Sequence, residues 1–184
     1  VGRVTCARLY QAGTWRARSA TVVALVGVVG CVVWSALVAR HDRVGSLSVV
    51  LGIAAIVAGT AVVTIRGKND VSASFLVVIL AAAFLGPASA FVVAVLAEVS
   101  SCRVIPTRPR AFIINVFASG LTALLAGTIV RQVGADQHSA AFYLLLAGLA
   151  AGAFELCWEI LAPLWIATYG DRQSFQRDHL RAYA

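Results

Sequence analysis

Two glutamates stand inside a long apolar run near the C-terminal end of the chain, where charged side chains are unusual. Glu155 and Glu159 lie within residues 140–168, and a spacing of four places them on one face of a helix. If this run crosses a bilayer, an ionised carboxylate there costs on the order of 3 kcal/mol unless it is protonated, paired or facing water. The pair is therefore the first candidate for a buried polar site.

The face that carries these glutamates also carries small residues. Gly148 and Gly152 precede them in a GxxxG spacing, which permits two helices to approach closely. The previous apolar run carries a polar stripe at helical spacing, formed by Asn115, Ser119 and Thr122. We predict that the acidic face packs and that this stripe is its partner surface. The candidate ligand-binding residues are Asn115, Ser119, Glu155 and Glu159.

A purely structural role for the same residues stays open. One protonated glutamate could hydrogen-bond across a helix interface while the other reaches the inner surface of the membrane. A third acidic residue, Glu98, lies near the end of another apolar run, and we expect it to pair with Arg103 or a neighbour.

Residue patterns for catalysis or metal binding are not found in the sequence. No nucleophile–base pair, phosphate-binding glycine loop or HExxH motif occurs. The four cysteines are scattered without a CxxC pair, which predicts neither a disulfide nor a zinc site. The sequence therefore predicts a protein without catalytic residues, metal or cofactor.

The composition matches lipid better than water. Of the 184 residues, 60% are hydrophobic and 12% are charged, whereas soluble domains have roughly 45–50% apolar and about 25% charged residues. The net charge of +7 does not indicate nucleic-acid binding, because the basic residues lie in tails and short gaps without interleaved aromatic residues. We predict an all-α integral membrane helical bundle whose main partner is the lipid bilayer.

Six membrane-spanning helices are predicted within a transmembrane domain of residues 20–168. A bilayer crossing takes about 20 apolar residues, and Gly86-Pro87 interrupts the stretch 71–101, since proline breaks a helix. The predicted helices are 21–39, 44–65, 71–85, 88–101, 111–130 and 140–168. The third and fourth are short, and either thin spans or a re-entrant pair would fit them.

The distribution of positive charge predicts the orientation. Residues 1–19 form a basic N-terminal tail, and residues 169–184 form a polar C-terminal tail. With both tails in the cytoplasm, 12 Lys and Arg residues lie inside and three lie outside, as expected because basic loops resist translocation. Counting 71–101 as one span would place the basic loop 102–110 outside, so six crossings fit the charges and five do not.

The region from residue 71 to 130 resembles a family of membrane modules. An apolar run containing "LGP" is followed by the basic loop "RVIPTRPRAF" and by "INVFASGLTALLAGTIV". This order resembles the multi-pass sensor modules found before HD-GYP and GGDEF domains in bacterial signalling proteins. The resemblance implies a non-catalytic sensor or anchor in the bacterial plasma (inner) membrane. No HD, GYP or GGDEF motif occurs in this sequence, and the two glutamates depart from the neutral residues expected in such modules.

A second resemblance implies a different function. The Gly-Pro hairpin with small residues is similar to one in the substrate-binding subunits of energy-coupling-factor vitamin transporters, which have a comparable length and six helices. That similarity implies a small-molecule ligand near Asn115 and Glu155 and a separate energising subunit. The signalling resemblance implies instead a homodimer whose C-terminal segment continues into a partner domain.

Overall fold

The protein is all-α, as predicted. The computed structural model describes residues 2–42, 45–65, 69–72, 74–104, 109–134 and 139–169. Six helices follow one another, and a 3-10 turn, Ala39–His41, comes directly after the first. The helices are α1 (Gly2–Val38), α2 (Ser46–Thr60), α3 (Ser74–Phe84), α4 (Pro87–Ser101), α5 (Pro109–Val133) and α6 (Ala140–Tyr169).

Large apolar side chains cover the outside of the bundle, whereas its interior is packed largely with alanine. Leu25 and Val29 on α1 are more than half exposed, and so is Val50 on α2. By contrast, Ala55 and Ala118 are fully buried. Small interior residues let helices pack closely, and an apolar exterior suits lipid, so this distribution is that of a helical membrane protein.

Among the described residues, three helices are long and apolar enough to cross a membrane. These candidate spans are Trp15–Val38, Pro109–Val133 and Ala140–Thr168. The middle one, α5, is the most buried and lies at the centre of the bundle, while the other two lie at its periphery. The shorter apolar helices α3 and α4 have 11 and 15 residues, or about 16 and 22 Å. Both pack against α5.

The second helix is shorter than predicted. It ends at Thr60 rather than at residue 65, and Val62–Ile65 pairs as an antiparallel strand, β1, with β2, Asn69–Ser72. The physical reason is the sequence of β1, where four consecutive β-branched residues favour an extended backbone over a helix. The predicted start of the third helix at residue 71 is wrong for the same reason, because Val71 pairs with Val63 in the ladder.

The first helix begins earlier than predicted, whereas the last helix ends close to its predicted end. Helix α1 begins at Gly2, so the segment predicted as a basic tail continues the first apolar helix. The α1 helix has 37 residues, a length of about 55 Å, which exceeds the thickness of about 30 Å of a hydrocarbon core. Helix α6 ends at Tyr169, and the rest of the predicted C-terminal tail lies outside the described residues.

A carboxylate from another part of the chain stabilises the turn between α3 and α4. Asp42 Oδ2 accepts a hydrogen bond of 2.6 Å from the backbone N–H of Ser89, in the first turn of α4. Its Oδ1 lies 3.7 Å from Nη2 of Arg131 on α5, and the Asp42 side chain is only 3% exposed. The carboxylate therefore caps the N-terminus of α4, and its negative charge interacts favourably with the positive end of the helix dipole.

Glycine is required at two positions, one in the α3–α4 turn and one on α5 where the turn packs. Gly86 has a φ of 114°, which other residues rarely adopt, and an added Cβ would lie 2.5 Å from Asp42 Oδ1. On α5, a Cβ added to Gly127 would lie 2.5 Å from Pro87 Cα. These contacts hold the α3–α4 turn against α5 at the end of the bundle where Asp42 lies.

The helices alternate in direction along the chain. Phe84 at the end of α3 and Phe142 at the start of α6 make an edge-to-face contact, with ring centroids 5.8 Å apart. At the other end of the bundle, Gly59 of α2 packs directly against Ala97 and Ser100 of α4. We call these two ends the Asp42 end and the Glu98 end.

Candidate functional site

A carboxyl group lies between α4 and α5 inside the bundle. Glu98 occupies the last turns of α4, and its Oε1 lies 3.1 Å from Oγ of Ser119 on α5. The side chain of Asn115, one turn earlier on α5, also hydrogen-bonds to Glu98. The local reason is register: Asn115 and Ser119 are four residues apart, so both project from one face of α5 towards α4.

Helix α6 contributes two further polar side chains to the same region. The indole Nε1 of Trp165 donates a long hydrogen bond of 3.4 Å to Oδ1 of Asn115. The thiol of Cys157 lies close enough to interact with both Glu98 and Thr122. Three helices therefore meet at one group of polar residues. We call this group the polar cluster: Glu98, Asn115, Ser119, Thr122, Cys157 and Trp165.

One member of the polar cluster faces another helix. Thr122 is 4% exposed, and its hydroxyl interacts with the Cys157 thiol on α6. Ser119 and Thr128 on the same helix instead donate to the carbonyl oxygens four residues before them. The Thr122 hydroxyl therefore connects α5 to α6 within the polar cluster.

The structure separates the four residues predicted to bind a ligand into two groups. Asn115 and Ser119 face the interior and belong to the polar cluster. Glu155 and Glu159 lie on the exposed side of α6 in the single chain, together with Gly148 and Gly152. At both glycines an added Cβ would have no neighbouring atom within 4 Å. The acidic face of α6 therefore does not pack against the polar stripe of α5 within one chain.

The acid that does meet the polar stripe is Glu98. The sequence predicts that Glu98 pairs with Arg103 or a neighbour, but its partners in the described part of the chain are the α5 residues rather than Arg103. The sequence does contain a pattern that indicates a buried Glu98, because Ala90, Ala94 and Glu98 follow one another at a spacing of four. Such a row of alanines marks the buried face of a membrane helix, and it leads directly to Glu98.

The polar cluster contains several kinds of hydrogen-bonding group. Its carboxyl, amide, hydroxyl and thiol groups can donate and accept hydrogen bonds or coordinate a cation. The described residues contain no group of three or more His, Cys, Asp or Glu side chains arranged to hold a metal ion. Comparisons with models of protein families, with curated proteins and with solved structures give no match to this chain.

Proposed function

We propose that this chain is a non-catalytic membrane module, the sensor or anchor part of a bacterial signalling assembly, which works as a homodimer in the plasma membrane. Both termini lie in the cytoplasm in this proposal, and the chain crosses the bilayer six times. The distribution of basic residues and the alternating helices support that topology. The observation that carries the proposal is the exposed face of α6.

This face combines features that lipid contact alone does not require. Gly148 and Gly152 form a shallow groove with open space above it, and Glu155 and Glu159 continue the same line towards the Glu98 end. A glycine groove permits the close approach of a second helix. A second copy of α6 fits this groove, since a two-fold axis places like residues opposite each other.

In such a module, the polar cluster couples the environment of Glu98 to the end of α6. Its hydrogen bonds run from Glu98 on α4 through α5 to Trp165, one turn before α6 ends at Tyr169. A change at Glu98 would therefore alter the contacts of the last turn of α6. In a sensor, that turn leads into the cytoplasmic C-terminal segment that contacts the output domain.

Native mass spectrometry of the protein, gently extracted from its own membrane, tests the dimer. We expect a dimer that retains no small organic molecule and is unchanged by Glu155→Gln. Gly152→Leu should give monomers, because the open space at Gly152 accommodates leucine in one chain but not a second helix as well. The matched control Val29→Leu, on the exposed face of α1, should stay dimeric. A monomeric wild-type protein would contradict the proposal.

A second candidate function is a small-molecule-binding subunit of a transporter. The buried polar cluster favours it, because convergent polar groups in a largely apolar interior are typical of ligand sites. A wild-type monomer that retains a small organic molecule, released by Asn115→Ala or Glu98→Gln, would favour this function over the sensor.

A further inference from the structure

The hydrogen bonds of the polar cluster have donors and acceptors that can be assigned from one residue to the next. The indole Nε1 of Trp165 donates to Oδ1 of Asn115. Because the amide oxygen of Asn115 is an acceptor there, its amide nitrogen is the group that donates to Glu98. The Ser119 oxygen lies 2.6 Å from the backbone carbonyl oxygen of Asn115 and 3.1 Å from Oε1 of Glu98. A hydroxyl has one hydrogen and the shorter contact takes it, so Ser119 is an acceptor towards Glu98.

These donors and acceptors match a protonated Glu98. A carboxylic acid has one O–H donor and a carbonyl acceptor, whereas a carboxylate can only accept. In the acid form, Glu98 accepts from Asn115 and donates to Ser119, so both of its polar groups are paired. In the carboxylate form, the Glu98 and Ser119 oxygens are two acceptors facing each other, unless Ser119 gives up its bond to the backbone carbonyl.

The charges around Glu98 also favour the neutral acid. No Lys or Arg side chain lies within ion-pair distance of it among the described residues. Helices α2 and α3 carry no ionisable side chain. From α6, Cys157 faces Glu98, and on α1 Cys31 packs against Phe91, two turns away along α4. The charged side chains of α1, α5 and α6 at the Glu98 end are exposed: Arg16, Arg18, Arg110, Glu155 and Glu159. An ionised carboxylate without a partner is costly inside a membrane protein.

We infer that Glu98 is a proton-binding residue whose protonated side chain joins α4 to α5 and, through Asn115, to Trp165 on α6. Release of the proton leaves a carboxylate and transfers H⁺ to water at the Glu98 end, since α4 ends at Ser101, about 4.5 Å further along the helix. The carboxylate then takes the Ser119 hydrogen and a stronger, charge-assisted bond from Asn115. Asn115 is thereby drawn away from Trp165, whose hydrogen bond of 3.4 Å is already long. The inference concerns one chain and does not depend on the dimer contact of α6.

Infrared spectroscopy of the full chain in lipid nanodiscs tests the protonation of Glu98. At neutral pH, we expect the wild-type protein to show a C=O stretching band of a protonated carboxyl that Glu98→Gln removes and that vanishes as the pH is raised. Glutamine donates and accepts hydrogen bonds as the protonated acid does, so Glu98→Gln should fold as the wild type does. Glu159→Gln, the same change on the exposed face of α6, should keep the band that Glu98→Gln removes.

Ser119→Ala keeps the test decisive if Glu98→Gln does not fold. It removes the acceptor of the Glu98 O–H, so the band should shift to the higher frequency of a carboxyl without a hydrogen bond. Thr128→Ala, the matched control, removes an α5 hydroxyl that donates to the Leu124 carbonyl and should leave the band in place.

The fluorescence of Trp165 tests the coupling to α6. In a variant that keeps Trp165 and has phenylalanine at the other three tryptophan positions (Trp15, Trp34 and Trp158), the emission should change over the pH range in which the band vanishes. The same variant with Glu98→Gln should show no such change.

Three results would overturn the inference. The first is the absence, at neutral pH, of a protonated carboxyl band that depends on Glu98 or responds to Ser119→Ala. The second is a band that persists at every pH at which the protein stays folded, because Glu98 would then never release its proton. The third is a Trp165 emission that stays constant while the band vanishes.

Discussion

Replacing Gly127 with alanine tests whether the α3–α4 turn is held against α5 by direct backbone contact. The new Cβ would lie 2.5 Å from Pro87 Cα, 2.8 Å from Pro87 N and 3.0 Å from Pro87 Cβ. These are backbone and ring atoms that cannot rotate away, so α4 and α5 must separate. Overpacking of this kind costs about 1–3 kcal/mol.

Helix propensity also contributes to the change in unfolding free energy of Gly127→Ala, and it acts in the stabilising direction. Alanine is favoured over glycine by about 1 kcal/mol inside an exposed helix. Gly30→Ala on α1 measures that term alone, because no atom lies within 4 Å of its added Cβ. The difference in unfolding free energy between the two variants should therefore be about 1–3 kcal/mol, with Gly127→Ala the less stable.

Unfolding in mixed detergent micelles, followed by circular dichroism, provides the comparison. Gly127→Ala should unfold at a lower fraction of denaturing detergent than Gly30→Ala, and Gly30→Ala at the same fraction as the wild type or a higher one. Equal stability of the two alanine variants would refute the close contact between α4 and α5.

Three further predictions concern stability and use the same assay. Asp42→Ala should lower the free energy of unfolding by about 2 kcal/mol, because Ser89 loses a charged acceptor at the start of α4; an unchanged midpoint would exclude the cap. Gly86→Ala should be destabilising by at least about 1 kcal/mol, since alanine resists a φ of 114°; a neutral effect would contradict the turn geometry. Leu124→Ala, fully buried, should cost about 2–5 kcal/mol, whereas Leu144→Ala, 75% exposed, should change stability little; equal losses would contradict the assigned faces.

The number and type of helices could be predicted because lipid imposes simple rules on sequence. Apolar runs separated by charged gaps predict six helices, and the described part of the chain forms six. The ends of α2 and α3 were harder to predict, because Val62 and Val63 are as apolar as the helix before them. Hydropathy does not separate a strand from a helix there, whereas the run of β-branched residues does.

The candidate site was predicted only in part, since spacing along a helix defines a face but not what that face meets. The stripe of Asn115 and Ser119 lies in the interior as a partner surface, but the acid beside it comes from α4 rather than from α6. The GxxxG spacing at Gly148 and Gly152 indicates a packing face, but it does not distinguish packing within one chain from packing against a second copy. Glu98 lies near the end of its apolar run, and that position alone predicts a side chain at the membrane interface.

Disulfide trapping in native membranes tests the proposed dimer face most directly. With the native cysteines replaced, Gly152→Cys should form a covalent dimer on mild oxidation, because the two-fold contact places the residue beside its copy. Val50→Cys, which is also exposed but lies on α2 outside the contact, should remain monomeric. A covalent dimer from Gly152→Cys alone is the predicted result. Equal trapping at both positions, or none at Gly152→Cys, would contradict dimerisation through α6.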